Sequence, residues 1–218
     1  MKNILLFGGT GLIGGEVLRM LSEDNSITIS AFLRRPTTLL KTSPYLIPHV
    51  VDFNRIEEWH NEIAGDVLFC CLGTTLRKAG SKEVFRQVDY ELVVKIAKAA
   101  SENGVKKFIV ISSLGADASS ANFYLKTKGE MERDVQQLSF QQIKILRPSI
   151  LIGNRTEIRL GEKAGILLAS VLSPLMLGRL KKYKPISATV VAKAMIMLSG
   201  SDSSQVIYES NELRMLSQ

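Results

Sequence analysis

The chain has 218 residues, 45% of them hydrophobic and 22% charged, with a formal net charge of +7. That apolar content excludes an intrinsically disordered chain. The two cysteines, adjacent at Cys70-Cys71, exclude a disulfide-stapled scaffold and favour a reducing compartment. A chain of this size buries roughly 70% of its unfolded surface, so residues 1–218 are expected to form one domain. The basic excess has three readings: nucleic acid, a membrane surface, or a phosphate-rich ligand.

In chain order, Asn3–Phe7 reads as a strand, Gly8–Gly14 as a loop, and the following residues to about Ser22 as a helix. Ile27–Leu33 is a second strand, ending at Arg34-Arg35-Pro36. Residues 37–48, with Pro44 and Pro48, read as loop. His49–Phe53 is a short third strand, Arg55–Ile63 a short helix, and Asp66–Leu72 a fourth strand of the sort buried on both faces. Val84–Asn103 is the clearest helix, with Phe85, Val88, Leu92, Ile96 and Ala99 at helical spacing and Gly104 closing it. Lys107–Ile111 is a fifth strand, Ser112–Ser120 a small-residue loop and Phe123–Leu138 a helix. Ile143–Arg147 is a sixth strand, stopped by Pro148. Helices at Ala164–Leu175 and Ser187–Ser199 and a strand at Gln205–Tyr208 complete the pattern. Strands alternating with helices predict an α/β fold with a doubly wound parallel sheet, which binds ligands at the carboxyl ends of its strands.

The motifs fall at those ends. Gly8, Gly11 and Gly14 have the spacing of a dinucleotide-binding loop, after a strand and before a helix. Glycine permits the tight turn and the close backbone approach to a pyrophosphate, and the helix N-terminus supplies free amides. Thr10, Leu12 and Ile13 lie in the same loop. NAD-binding folds place an acidic residue about 20 positions on; here Arg34 and Arg35 stand instead, and arginine suits a 2′-phosphate. The expected cofactor is therefore NADP(H). Asp52-Phe53 is a candidate to flank the adenine, and Leu72-Gly73-Thr74 to pass the middle of the cofactor. Cys70 and Cys71 read as core filling. Tyr124 and Lys128, at i and i+4, share one helix face. A nearby lysine charge favours the phenolate and brings tyrosine toward acid–base work. Ser112 or Ser113 is placed to donate to a substrate oxygen that gains charge as hydride arrives.

Together with Cys70–Thr75, Ile111–Ala116, Tyr124–Glu130 and Leu146-Arg147-Pro148, these residues resemble the short-chain dehydrogenase/reductase superfamily, of its atypical NAD(P)-binding type. The closer likeness is to the Tat-interacting-protein oxidoreductase family, over about residues 3–160. The resemblance implies an NADPH-bound, Rossmann-like protein. It implies cofactor contacts from Thr10–Ile13, Arg34, Arg35, Leu72, Gly73, Tyr124, Lys128, Leu151 and Arg159, and a catalytic pair Tyr124 and Lys128. It also implies that the segment after the sixth strand, about residues 151–200, shapes the substrate side. Two features depart from the superfamily: the Ser113–Tyr124 interval is short, and Asp89 stands where many members carry a relay asparagine. The implied activity is hydride transfer between NADPH and a small carbonyl or alcohol. The alternative is an NADPH-binding regulator or sensor with little turnover, acting through a protein partner.

The other readings of the charge are weaker. Aromatic residues, 6% of the chain, do not interleave with a basic stretch as stacking on nucleic acid requires. The longest apolar run, Ile166–Gly178, falls short of the ~18 residues of a membrane span and contains Pro174. The basic cluster from Arg179 to Lys184 reads as solvated surface. With His49 and His60 its only histidines, the chain has no zinc-like spacing, so no metal is expected. The apolar run Ile4–Phe7 is too short for a signal-peptide core, which gives the expectation of a cytoplasmic protein. A homo-oligomer is left open.

Overall fold

The computed structural model describes residues 2–37, 43–152 and 178–218. Its main sheet contains β1 (Lys2–Phe7), β2 (Ile27–Leu33), β3 (Leu46–Val50), β4 (Val67–Cys70), β5 (Lys107–Ile111) and β6 (Gln142–Arg147). A short pair, β7 (Leu151–Ile152) and β8 (Ile186–Ser187), stands apart, and β9 (Ile207–Glu209) returns to the main sheet. The helices are α1 (Leu12–Leu21), α2 (Leu76–Ala79), α3 (Lys82–Arg86), α4 (Leu92–Glu102), α5 (Phe123–Val135), α6 (Ala188–Gly200) and α7 (Ser210–Leu216). The seven-stranded order is β3-β2-β1-β4-β5-β6-β9, and every neighbouring pair is parallel. The winding reverses between β1 and β4, and that reversal opens a crevice at the carboxyl ends of the strands. This is the Rossmann-type α/β fold.

The central strands are apolar on both sides because both sides are covered. Along β1, Ile4 and Leu6 enter one core cluster and Leu5 and Phe7 the other, as alternating strand side chains must. The first cluster is closed by Val17 and Leu18 of α1, Val191 and Met195 of α6 and Leu213 of α7. The second is closed by Val93 and Ile96 of α4 and by Met131 and Val135 of α5. Each such side chain contributes about 1.5–3 kcal/mol when fully buried.

Several boundaries differ from the sequence reading. The third strand is Leu46–Val50 rather than His49–Phe53, so part of the expected 37–48 loop is strand. Pro48 is tolerated because β3 lies at the sheet edge, paired with β2. Arg55–Ile63 is not one helix but two 3-10 turns, Ile56–Glu58 and His60–Glu62. Trp59 between them has φ −135° and is drawn inward, its Nε1 donating to the Asp52 carbonyl at 2.8 Å. The long helix predicted over Val84–Asn103 begins at Lys82 and contains a π-helical turn, Gln87–Glu91, between α3 and α4. The helix expected at Ala164–Leu175 lies outside the described residues.

Candidate functional site: the crevice at the strand ends

The glycine loop is built for close backbone approach. Gly8 has φ +82°, a left-handed conformation that favours glycine. A Cβ there would stand 2.6 Å from the Cys71 carbonyl oxygen, and one at Gly14 would stand 2.1 Å from the Gly8 carbonyl oxygen. The loop thus closes on both β4 and α1 only because these residues lack side chains. Gly11 is the N-cap of α1 and supplies no side-chain acceptor, so the first amides of the helix are left for an anion. Thr10 and Gly11 are exposed, Leu12 is half-buried, and Ile13 turns into the first core cluster. The cradle fits the pyrophosphate of a dinucleotide.

Beyond the end of β2, Arg34 and Arg35 are exposed. With Thr10, Leu33, Pro36 and Thr37 they line a pocket of about 420 Å³ that has no acidic lining residue among the described residues. Thr10 joins this pocket to the glycine loop. Asp52 and Phe53 follow β3. The Asp52 carboxylate accepts from the Asn54 amide at 2.9 Å. Phe53 packs 6.1 Å from Phe7 and 5.9 Å from Trp59, within an aromatic cluster, and does not line the arginine pocket.

The third group centres on Lys128. Asn122 caps α5 by accepting from the Leu125 amide at 3.2 Å, which sets Tyr124 on the first turn. The Tyr124 ring packs on Phe85 with centroids 5.4 Å apart. Gly129 lets α5 press on the Asp117–Ala118 backbone, where a Cβ would come within 2.1 Å of the Ala118 nitrogen. This pressing fixes the neighbouring Lys128, whose Nζ stands 2.7 Å from Asp89 Oδ1; their side chains are 4% and 1% exposed. Asp89 Oδ2 accepts from the Thr74 amide at 2.7 Å. A Cβ on Gly73 would meet Asp89 Oδ1 at 3.2 Å and Lys128 Nζ at 3.8 Å. Burial works against the Lys128 charge, but Asp89 and the Tyr124 phenol outweigh it and hold the lysine above its ordinary pKa. Leu72 packs against the second core cluster.

Ser112 is 5% exposed, and its hydroxyl has no hydrogen-bond partner among the described residues. Ser113 is half-buried, its Oγ donating to the Leu114 carbonyl at 3.5 Å. Burial pushes the Cys70 thiol up to about 11 and raises Cys71 as well. Both therefore stay protonated near neutral pH and pack as small core groups, as the sequence reading held. Leu151 sits in β7, paired with Ile186 and packed on the first core cluster. Arg159 lies outside the described residues. Lys182 pairs with Glu209 at 3.0 Å. Among the described residues no helix is long and apolar enough to cross a membrane.

The structure thus brings Tyr124, Lys128, Gly73 and Thr74 together and sets Arg34 and Arg35 beside Thr10. The residue that sequence reasoning left without a role is Asp89. Its signal was a departure, an aspartate where many superfamily members carry a relay asparagine, and its partner on α5 was not visible in the chain order.

The family model described as NAD(P)H-binding matches residues 8–168. Protein HTATIP2 of Rattus norvegicus is 37% identical over 164 residues, covering 74% of this chain and 67% of that protein. The mitochondrial protein FMP52 of Candida albicans is 35% identical over 198 residues, covering 88% and 85%. Among solved structures, MoeE5 in complex with UDP-glucose and NAD superposes with a TM-score of 0.69 at 14% identity, over 99% of this chain and 80% of that one, a likeness of fold. The expectation of a cytoplasmic protein is overturned, because this and other fungal FMP52 relatives are named mitochondrial. With its glycine cradle, parallel sheet and these relatives, the chain belongs to the NAD(P)H-binding family that includes the HTATIP2 and FMP52 proteins.

Proposed function

We propose that the protein is an NADP(H)-dependent oxidoreductase acting on a small carbonyl or alcohol. The observation that carries this reading is buried Lys128 beside the Gly73-Thr74 backbone at the switch point of the sheet, with Tyr124 one turn before it on α5. When bound, NADPH supplies the hydride. Tyr124 gives a proton to the substrate oxygen in reduction and takes it back in oxidation. Lys128, charged and held on α5 against Asp89, donates to the ribose hydroxyls of the nicotinamide half. Ser112 and Ser113 donate to the substrate oxygen as its charge grows; a buried Ser112 hydroxyl with no partner among the described residues supports a donor awaiting an acceptor. Arg34 and Arg35 bind the 2′-phosphate through their planar forks, and the pocket they share with Thr10 supports NADP(H) over NAD(H). Residues 1–218 act as one dinucleotide-binding domain, with the segment from Leu151 shaping the substrate side.

A second reading has one observation in its favour. The Lys128 ammonium already faces a carboxylate at 2.7 Å, which reduces the net charge available to a phenolate. An NADPH-binding regulator with little turnover accommodates that pairing. NADPH consumption across a panel of aldehydes and ketones decides between them. The oxidoreductase reading predicts turnover that falls about a hundredfold or more in Tyr124→Phe with NADPH affinity retained. No turnover on any substrate by a protein that binds NADPH tightly supports the regulator, and full turnover by Tyr124→Phe overturns the role of the tyrosine.

A further inference from the structure

Asp89 is a buried carboxylate inside a helix, where an acidic side chain is costly unless both its oxygens are matched. Oδ2 accepts from the Thr74 amide at 2.7 Å, and Oδ1 is offset by charge, in an ion pair with the Lys128 ammonium at 2.7 Å that makes no directed hydrogen bond among the described residues. The two partners come from different parts of the fold, α5 and the loop that ends β4. An asparagine cannot replace it in kind. One of its two termini donates, and would face either an ammonium or an amide N–H, both donors. The residue sits in the π-helical turn Gln87–Glu91, and such turns re-aim side chains at functional sites.

We propose that Asp89 is a positioning residue: its carboxylate clamps the Lys128 ammonium to the backbone of the Gly73-Thr74 loop and so fixes where that charge stands in the cofactor crevice. The inference rests on reading Lys128 as a residue that meets the cofactor. The groups around the ammonium are Asp89 from the π-turn, Tyr124 from α5 and Cys70 from β4. With the thiol protonated, Asp89 is the one carboxylate acting on it among the described residues, and the clamp holds while the lysine is charged. A purely architectural pair would also tie the helix to the sheet, so the test must read the position and charge of Lys128 itself.

Two measurements on the full chain do so. In the first, competitive acetylation of lysines followed by mass spectrometry gives the reactivity and titration of Lys128 without cofactor. Asp89→Asn is expected to raise Lys128 acetylation about tenfold or more at pH 8 and to lower the pH at which the lysine titrates. Unchanged labelling in a folded Asp89→Asn protein overturns the clamp. In the second, NADPH affinity is measured by fluorescence for wild type, Asp89→Asn, Lys128→Met and the double variant. Asp89→Asn is expected to weaken binding about tenfold in the wild-type background and less than about twofold beside Lys128→Met. Equal losses in both backgrounds overturn the proposal, because Asp89 would then act without Lys128. The double variant leaves no unpaired buried charge, so it keeps the cycle readable where Asp89→Asn alone folds poorly. If labelling responds while Lys128→Met binds NADPH like wild type, the clamp stands and the reading of Lys128 as a cofactor residue fails.

Discussion

At the residue scale, the crevice depends on a few positions where a single atom decides the outcome. Gly14 leaves no space for a methyl group, with the Gly8 carbonyl oxygen 2.1 Å from its notional Cβ. Gly14→Ala is therefore expected to cost about 1–3 kcal/mol or more, seen as a lower midpoint in thermal melts, and to weaken cofactor binding. Gly15, one residue on within α1, has 3.6 Å to its nearest neighbour. Gly15→Ala is expected to stabilise by about 0.5–1 kcal/mol in the same melts, because alanine favours the helix. A lower midpoint for Gly15→Ala would show that the loop geometry is misdescribed. Ser112 offers a third contrast. Its hydroxyl has no protein partner among the described residues, so Ser112→Ala should leave the stability read from thermal melts within about 0.5 kcal/mol of wild type while reducing turnover. The glycine loop was legible in the sequence, because its spacing after a strand carries the chemistry directly, and so was the placement of Arg34 and Arg35 just beyond β2. Asp89 was legible only as a departure, because its role depends on Lys128 and Thr74, which the fold alone brings to it.

At the scale of elements, strands buried on both sides were the easiest to read. β5 matches its expected bounds, Lys107–Ile111, because its apolar run is continuous. β3 was displaced because it is an edge strand whose Pro48 and His49 carry no core pattern. The π-turn was invisible because its extra residue moves the buried face along the helix, from the expected Val88 and Leu92, which are half-buried, to Asp89, Val93 and Ala97. It has a structural consequence: consecutive residues Asp89 and Tyr90 both meet α5, at Lys128 and at Asp134, where the Tyr90 hydroxyl donates at 2.6 Å. Regular helix geometry turns consecutive side chains about 100° apart. The Asp134 carboxyl is held below its ordinary range, first by the Arg133 hydrogen bond and also by Tyr90, against a smaller opposing effect of burial. Its folded pKa is depressed, so the unfolded chain binds more protons in the window below about pH 3.9. This contribution to stability is full above that value and is lost as the pH falls through the folded pKa. Melting curves between pH 5 and 2.5 are expected to fall less steeply for Asp134→Asn than for wild type; identical slopes would show that the contact between the π-turn and α5 does not depend on this carboxylate.

At the scale of the whole molecule, the +7 charge that opened three readings is distributed by the fold. Lys128 is consumed by a buried pair, Lys144 is buried with its Nζ donating to the Gln205 carbonyl at 2.8 Å, and Lys182 is paired at the surface. Arg34 and Arg35 stand exposed at the mouth of a pocket joined to the glycine loop. Because every strand of the sheet is parallel, the glycine loop, Arg34-Arg35 and Gly73-Thr74 all follow carboxyl ends on one side of it. The sequence pattern did not locate the substrate side, because the segment from Leu151 carries no motif of comparable spacing. The central claim is that the crevice takes a dinucleotide with a 2′-phosphate. Its most direct test is the affinity of the wild-type chain and of Arg34→Ala/Arg35→Ala for NADPH and for NADH, titrated by fluorescence at one ionic strength. The account predicts that the wild type binds NADPH at least about tenfold more tightly than NADH, and that the double variant loses this preference while its NADH affinity stays within about twofold. Equal affinities for the two cofactors in the wild type, or a preference that survives loss of both arginines, would contradict it.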